Sequence, residues 1–145
     1  MRAFTVLPLM IIPIIIYNIM AFADATFSTA EQLSARLNEP FQSIHMASGA
    51  SWVITPGHAL LAVALVTLFF ELLKSTGVGR AAIMNHAFSM LIFIFCLIEF
   101  LMLEGFATSV FFLIMLMTLM DVMAGFIVTI ASARRDFAVG EGFGG

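Results

Sequence analysis

Four ionisable residues interrupt the long apolar stretches of this chain: Glu71, His86, Glu99 and Asp121. A charged side chain at bilayer depth is costly, so each such residue is a candidate functional site. Carboxyl and imidazole groups at that depth are suited to proton or cation transfer. One hypothesis is therefore a proton or cation path lined by Asp121 and Glu99, with His86 as a relay near the cytoplasmic face.

The expected depths of these residues differ. Glu71 and His86 lie within about two helical turns of the predicted cytoplasmic side, where long side chains reach water by snorkelling. Lys74 follows Glu71 by three residues on the same helical face, so the two are expected to pair. Glu99 lies about one turn from the outer end of its span. Asp121 is deepest, about 15 Å from the cytoplasmic end at roughly 1.5 Å per residue.

Small and polar residues form one stripe on each of the last two spans. The third span carries Asn85, Ser89, Cys96 and Glu99, with His86 at the edge of the group. The fourth carries Thr118, Asp121, Gly125, Thr129 and Ser132. Such stripes let membrane helices approach closely and form hydrogen bonds. Both stripes are therefore expected to face the bundle interior, with Asp121 bonded to Asn85, Ser89 or His86.

Two other interpretations of these stripes stay open. The polar groups fix the register of the bundle, either neutral or hydrogen-bonded, or they contact a partner subunit. The sequence shows no hydrolase triad, phosphate-binding loop, metal motif or haem-ligand pair, so neither a cofactor nor an enzymatic activity is expected. The single cysteine, Cys96, excludes an intrachain disulfide and a structural zinc site.

Composition places the chain among integral membrane proteins. Hydrophobic residues make up 62% of the 145 residues and charged residues 10%, and the mean hydropathy is +1.11. Soluble domains contain about half apolar and about a quarter charged residues. The net charge of −3 and the absence of a basic cluster argue against a nucleic-acid partner. The expected partners are the lipid bilayer and a membrane protein or a second copy.

The hydrophobic pattern predicts an all-α membrane protein with four transmembrane helices. The spans are expected at residues 4–23, 58–74, 81–103 and 106–132. The last two are joined only by Glu104 and Gly105, so they must be antiparallel neighbours. A single transmembrane domain, 1–136, is followed by a glycine-rich tail, 137–145, that is expected to be disordered.

The first apolar stretch has two interpretations. Pro8 and Pro13 favour a retained helix with a kink, which neighbouring helices tolerate in a membrane. The single positive residue Arg2 and the small residues before Asp24 are instead typical of a cleaved secretory signal. The stretch is longer than the apolar region of most signals, and this favours the retained helix.

The segment 24–57 is the only extended polar region. Ser28 and Glu31 have the spacing of a capping box, followed by a short amphipathic helix that Pro40 terminates and that is expected to lie on the membrane surface. The alternating residues around Gly49 are typical of a β-hairpin. Trp52 is expected to anchor the interface, and His45 is expected to be solvated.

The positive residues predict the orientation. Five of the six lie before the first span, between the second and third, and after the fourth: Arg2, Lys74, Arg80, Arg134 and Arg135. Cytoplasmic loops of membrane proteins are enriched in such residues. Both termini are therefore expected in the cytoplasm, with segment 24–57 in the periplasm of a bacterium and the protein in the inner membrane.

The chain resembles an uncharacterised family of small four-span inner-membrane proteins of alphaproteobacteria. The resemblance is carried by Leu7-Pro8-Leu9, Tyr17-Asn18, Met46-Ala47-Ser48-Gly49, Phe70-Glu71, Lys74-Ser75-Thr76, His86-Ala87, Ser89, Glu99-Phe100, Thr108-Ser109, Asp121-Val122, Ala124-Gly125-Phe126 and Ala133-Arg134-Arg135-Asp136. It implies location and topology, and no molecular function. The sequence favours a non-catalytic accessory or scaffolding subunit or a homo-oligomer, with a small ion-linked transporter as the alternative.

Overall fold

The computed structural model describes residues 7–23, 29–75 and 80–141. Its elements, in chain order, are α1 (Ile11–Ala21), α2 (Ala30–Asn38), β1 (Gln42–His45), β2 (Ser51–Ile54), α3 (Pro56–Ser75), α4 (Arg80–Met102) and α5 (Ser109–Glu141). A 3-10 turn, Glu104–Phe106, connects α4 to α5. Within the described residues, α3, α4 and α5 are long and apolar enough to cross a membrane. The protein is therefore a membrane-embedded helical protein, as its composition predicts.

The bundle is built around α5, which packs against both α3 and α4, while α1 packs on α3. Its buried core includes Tyr17, Ala64, Cys96, Phe111 and Ile114. Large apolar side chains such as Leu65, Leu91 and Ile127 point outward and are exposed. An apolar exterior around a packed interior is the distribution that lipid as a solvent favours. We call the end that carries the hairpin the hairpin end, and the other the opposite end.

The helix α1 is shorter than the span predicted for residues 4–23. It has 11 residues, fewer than the roughly 20 that cross a bilayer core, and residues 1–6 lie outside the described part of the chain. The predicted kink is wrong. The helix begins after Pro8, and Pro13 occupies its first turn, where a missing N–H breaks no intrahelical bond.

The amphipathic helix α2 begins one residue later than predicted. Thr29 is its N-cap, and a reciprocal capping box links Thr29 with Gln32. The predicted capping residue Ser28 lies outside the described residues. Its buried face consists of Leu33 and Leu37, as the spacing predicts.

The predicted hairpin is confirmed. β1 and β2 are antiparallel, with Ile44 opposite Trp52 and His45 opposite Ser51. Gly49 in the connecting turn has φ +85°, a conformation that residues with a Cβ adopt rarely. Trp52 is about half exposed, and His45 is 3.1 Å from the Ser51 hydroxyl.

The predicted antiparallel pair is present in α4 and α5. α5 begins at Ser109, after Thr108, whose hydroxyl accepts a hydrogen bond from the Phe111 amide at 3.2 Å. The helix continues to Glu141 and so enters the segment predicted to be a disordered tail. Extension of an existing helix adds one hydrogen bond per residue and needs no new nucleus. Residues 142–145 lie outside the described chain.

Candidate intramembrane site

Glu71 is the centre of a polar cluster near the opposite end. Its side chain is fully buried. Its Oε2 accepts a hydrogen bond from the Leu9 amide at 2.7 Å, and its Oε1 accepts one from Asn85 Nδ2 at 2.6 Å. Lys74 Nζ lies 3.0 Å from the same Oε1, which confirms the expected pair.

Lys74 completes the connection to the start of α1. Its ammonium group also donates a hydrogen bond to the Leu7 carbonyl at 2.7 Å. The expectation that Glu71 reaches water is therefore wrong: Glu71 lies on the face of α3 that α1 and α4 cover, and Lys74 is the member of the pair that stays partly exposed. The Glu71 carboxylate ties the segment that directly precedes α1 to α3 and α4.

Asp121 belongs to the same region and has no such partners. Its side chain is 1% exposed, and among the described residues neither carboxylate oxygen has a hydrogen-bond partner. The Ser89 hydroxyl is within reach of a weak hydrogen-bonding interaction with the carboxylate, and Glu71 and His86 are close enough to interact with it electrostatically. We call Glu71, Lys74, Asn85, His86, Ser89 and Asp121 the Glu71–Asp121 cluster.

The structure buries most of the predicted stripe residues but does not form the expected hydrogen bonds of Asp121. Thr129 is an exception, since it is exposed, and the side chain of Ser132 lies outside the described part of the structure. Asn85 and Ser89 are buried, as predicted. Asn85 donates to Glu71 and not to Asp121, because Glu71 presents an oxygen directly to its amide. In the described chain, Asn85 Oδ1, Ser89 Oγ and His86 Nδ1 also lack partners. Five unpartnered buried atoms are therefore concentrated between α4 and α5.

His86 and Gly125 set the distance between these two helices. The imidazole packs directly on the Gly125 backbone, in space that any Cβ at position 125 would occupy. A groove of about 270 Å³ opens beside this contact, with Ile83, Met90 and Phe126 among its lining residues. The close approach explains why a small residue stands at this point of the α5 stripe.

Tyr17 organises a second polar cluster at the hairpin end. Its hydroxyl donates to the Gly105 carbonyl at 3.0 Å and lies 2.6 Å from Thr108 Oγ1. On the next residue of α1, Asn18 Nδ2 donates to Glu99 Oε2 at 3.4 Å. We call these residues the Tyr17–Glu99 cluster. Sequence reasoning gave Tyr17 no role, although a tyrosine inside an apolar stretch was the available signal.

Along α3, α4 and α5, buried apolar residues lie between the residues of the two clusters, and we call these residues the apolar layer. It consists of Ala64, Cys96, Ile114 and Met115, all buried. Thr118, which stands beside the layer, donates its hydroxyl to the Met115 carbonyl at 2.7 Å, within its own helix. The predicted residues Glu99 and Asp121 therefore lie in separate clusters, and the structure does not bring them together.

Over the part of the chain that the structure describes, no three His, Cys, Asp or Glu side chains form a group that could hold a metal ion. Comparisons with protein-family models, curated proteins and solved structures give no match. Function has to be inferred from the chain's own residues. Among the described residues their chemistry comprises three buried carboxylates, of which Glu71 is fully paired, Glu99 accepts one hydrogen bond from Asn18 and Asp121 has no hydrogen-bond partner, with buried apolar residues between the two polar regions.

Proposed function

We propose that the protein is a non-catalytic accessory or scaffolding subunit, or a homo-oligomer, of a bacterial inner membrane. It crosses that membrane four times with both termini in the cytoplasm and segment 24–57 in the periplasm. The observation that carries the proposal is the apolar layer of Ala64, Cys96, Ile114 and Met115. Buried apolar packing between the two polar clusters opposes passage of an ion, because a charge is costly in an apolar medium.

The polar contacts on either side of the layer support the same role. Glu71 joins the segment directly before α1 to α3 and α4, and Tyr17 joins α1 to the turn before α5. Contacts of this kind hold helices that are distant in sequence in one arrangement. A rigid bundle with an apolar exterior suits a protein that supports or assembles with other membrane components.

The position of α1 supports its retention in the mature protein. Tyr17 is completely buried in the core, and its hydroxyl is hydrogen-bonded to Gly105. Loss of residues 1–23 by signal cleavage would leave that carbonyl and the Thr108 hydroxyl without these contacts. The orientation also agrees with the resemblance to four-span alphaproteobacterial proteins.

Isolation of the tagged protein from its native membrane in mild detergent tests the proposal. Intact-complex mass determination should give a stoichiometric second protein or a defined homo-oligomer. A monodisperse monomer, stable in several detergents and without a partner, would contradict it. An Ile127→Ala variant serves as the control for non-specific capture through exposed apolar side chains.

The unpartnered atoms around Asp121 favour a second candidate, a small proton- or ion-linked transporter. A buried carboxylate without a partner is a default candidate for binding a proton or a cation. In a transporter the apolar layer would open during transport, and Glu99 would line the proton or cation path at the hairpin end.

Two measurements distinguish the candidates. In liposomes, a transporter should lose proton or cation flux on Asp121→Asn and keep it on the control substitution Glu31→Gln, at an exposed position of α2. A cysteine at Thr118, in a Cys96→Ser background, should react with a water-soluble thiol reagent when a wet path exists. If liposomes with the wild-type protein show the same flux as empty liposomes, and the cysteine at position 118 does not react, the transporter is excluded and the accessory or scaffolding function remains.

A further inference from the structure

The β1–β2 hairpin has one apolar and one polar face. Ile44 and Trp52 are cross-strand partners, and Ile54 lies on the same face opposite Gln42. The other face carries Ser43, His45 and Ser51, with Val53 as its apolar member. Both Ile44 and Trp52 are substantially exposed, at 41% and 52%. A two-stranded sheet is marginally stable alone in water. We therefore expect the exposed apolar face to be covered by another apolar surface.

The hairpin has no charge that would keep it in water. Residues 40–70 contain no Asp, Glu, Lys or Arg, so the uncharged surface of α3 continues without a break through β1 and β2. Thr55 alone separates the end of β2 from the start of α3. The hairpin therefore stands where α3 enters the membrane.

A groove at the base of the hairpin brings Phe41, which directly precedes β1, together with residues of α1 and α3. The groove has a volume of about 350 Å³ and is lined by Phe41, Ile16, Met20, Ala59 and Val63, among others. Val63 is seven residues into α3, about 10 Å along the helix axis. Phe41, directly before β1, is 79% exposed beside this groove.

We propose that the hairpin lies in the lipid headgroup layer, with the Ile44–Trp52 face against the membrane and Phe41 beside lipid that enters the groove. The partner of this surface is the bilayer itself. An indole ring combines an apolar body with an N–H donor, and such rings concentrate at the boundary between headgroups and acyl chains. The polar face of Ser43, His45 and Ser51 remains toward water. This inference extends beyond the proposed function and does not depend on it.

The single tryptophan makes the test direct, because no other indole contributes to the emission. The full chain is reconstituted into phosphatidylcholine vesicles that contain lipids with a quencher either near the headgroup or deep in the acyl chain. The expected result is blue-shifted Trp52 emission, loss of intensity with the shallow quencher that exceeds the loss with the deep one, and protection from acrylamide.

Two variants in a Trp52→Phe background provide the matched comparison. Ile44→Trp places the indole on the same face and should reproduce the quenching pattern. Val53→Trp places it on the opposite face and should be quenched by acrylamide and not by lipid. Circular dichroism and retention in the vesicles establish that each variant is folded.

Emission at the wavelength of an indole in water, with acrylamide access and no lipid quenching, would overturn the proposal. Protection of Trp52 from acrylamide and from the lipid quenchers alike, increasing with the protein-to-lipid ratio, would overturn the proposal too. It would mean that a second copy of the chain covers the Ile44–Trp52 face. Identical behaviour of the Ile44→Trp and Val53→Trp variants would contradict the assignment of faces.

Discussion

Glu71 and Asp121 are both buried carboxylates, and their surroundings are opposite. The Glu71 oxygens accept from an amide, a side-chain NH₂ and an ammonium group, whereas Asp121 has none of these within the described residues. Removal of one partner from a buried polar pair leaves the other unsatisfied, and this costs more than the pair contributes when intact. The two residues should therefore respond to neutralisation in opposite directions.

Glu71→Gln should destabilise the protein. The glutamine NH₂ would face one of two donors, Leu9 N–H or Asn85 NH₂, and Lys74 would lose its counterion. Because Lys74 is partly exposed, we expect a loss of about 1–3 kcal/mol in the free energy of unfolding. Reversible unfolding in detergent micelles measures it, with Glu31→Gln as the surface control. A free energy equal to the wild-type value would show that the hydrogen bonds of Glu71 do not contribute.

Asp121→Asn should leave stability unchanged or raise it by up to about 1–2 kcal/mol. The substitution preserves shape and removes a carboxylate that has no partner. The same unfolding measurement applies, and Asn85→Ala, which removes a donor to Glu71, is the comparison with the opposite expected sign. A large loss of stability in Asp121→Asn would mean that Asp121 has a partner that binds its charged form.

The close contact between α4 and α5 depends on the imidazole of His86 and on the absence of a Cβ at Gly125. Gly125→Ala should force the helices apart and cost about 1–3 kcal/mol, as overpacking of a tight interior does. His86→Ala alone creates space and should cost less. The double variant should recover most of the loss, which a double-mutant cycle of unfolding free energies measures. An additive result would show that His86 is not what excludes a Cβ at position 125.

Local patterns predicted the elements better than their mutual contacts. The three long spans and the β-hairpin follow from apolar length and alternation, which depend on neighbouring residues alone. The predicted start of α2 is one residue early because Ser28 with Glu31 and Thr29 with Gln32 have the same spacing in the sequence. The capping box that the structure describes uses Thr29 and Gln32, and Ser28 lies outside the described residues. The burial of Glu71 depends on Leu9, 62 residues away, and no local pattern contains that information.

At the scale of the whole molecule, α5 is longer than a bilayer core is thick. Its 33 residues extend about 50 Å at roughly 1.5 Å per residue, against a core of about 30 Å. The Glu71–Asp121 cluster lies near the end of α3, so α5 continues for several turns past it. With the proposed orientation, this last part of α5 projects into the cytoplasm.

Cysteine labelling tests that orientation. The native Cys96 is buried, so the wild-type protein should give little background. In spheroplasts, a membrane-impermeant maleimide should label Ser43→Cys on the exposed hairpin and spare Thr76→Cys between α3 and α4, which should become reactive only after lysis. The positive residues near position 76 are the physical reason. The reverse labelling pattern would invert the topology.

The contacts of α1 have a consequence for the biogenesis of the protein. During synthesis, Leu9 cannot form its hydrogen bond until Glu71 has been added to the chain. Tyr17 cannot form its hydrogen bonds until Gly105 and Thr108 have been added, 88 and 91 residues after it. The ribosome therefore releases α1 long before the groups that hold it have been made. In a nascent chain halted after α3, the hydrogen bond from Leu9 to Glu71 would hold the start of α1, while Tyr17 would still lack its partners. Assembly is completed only when the turn before α5 has been made, so α1 precedes α3 and α5 in the chain and yet is among the last of these elements to become fixed.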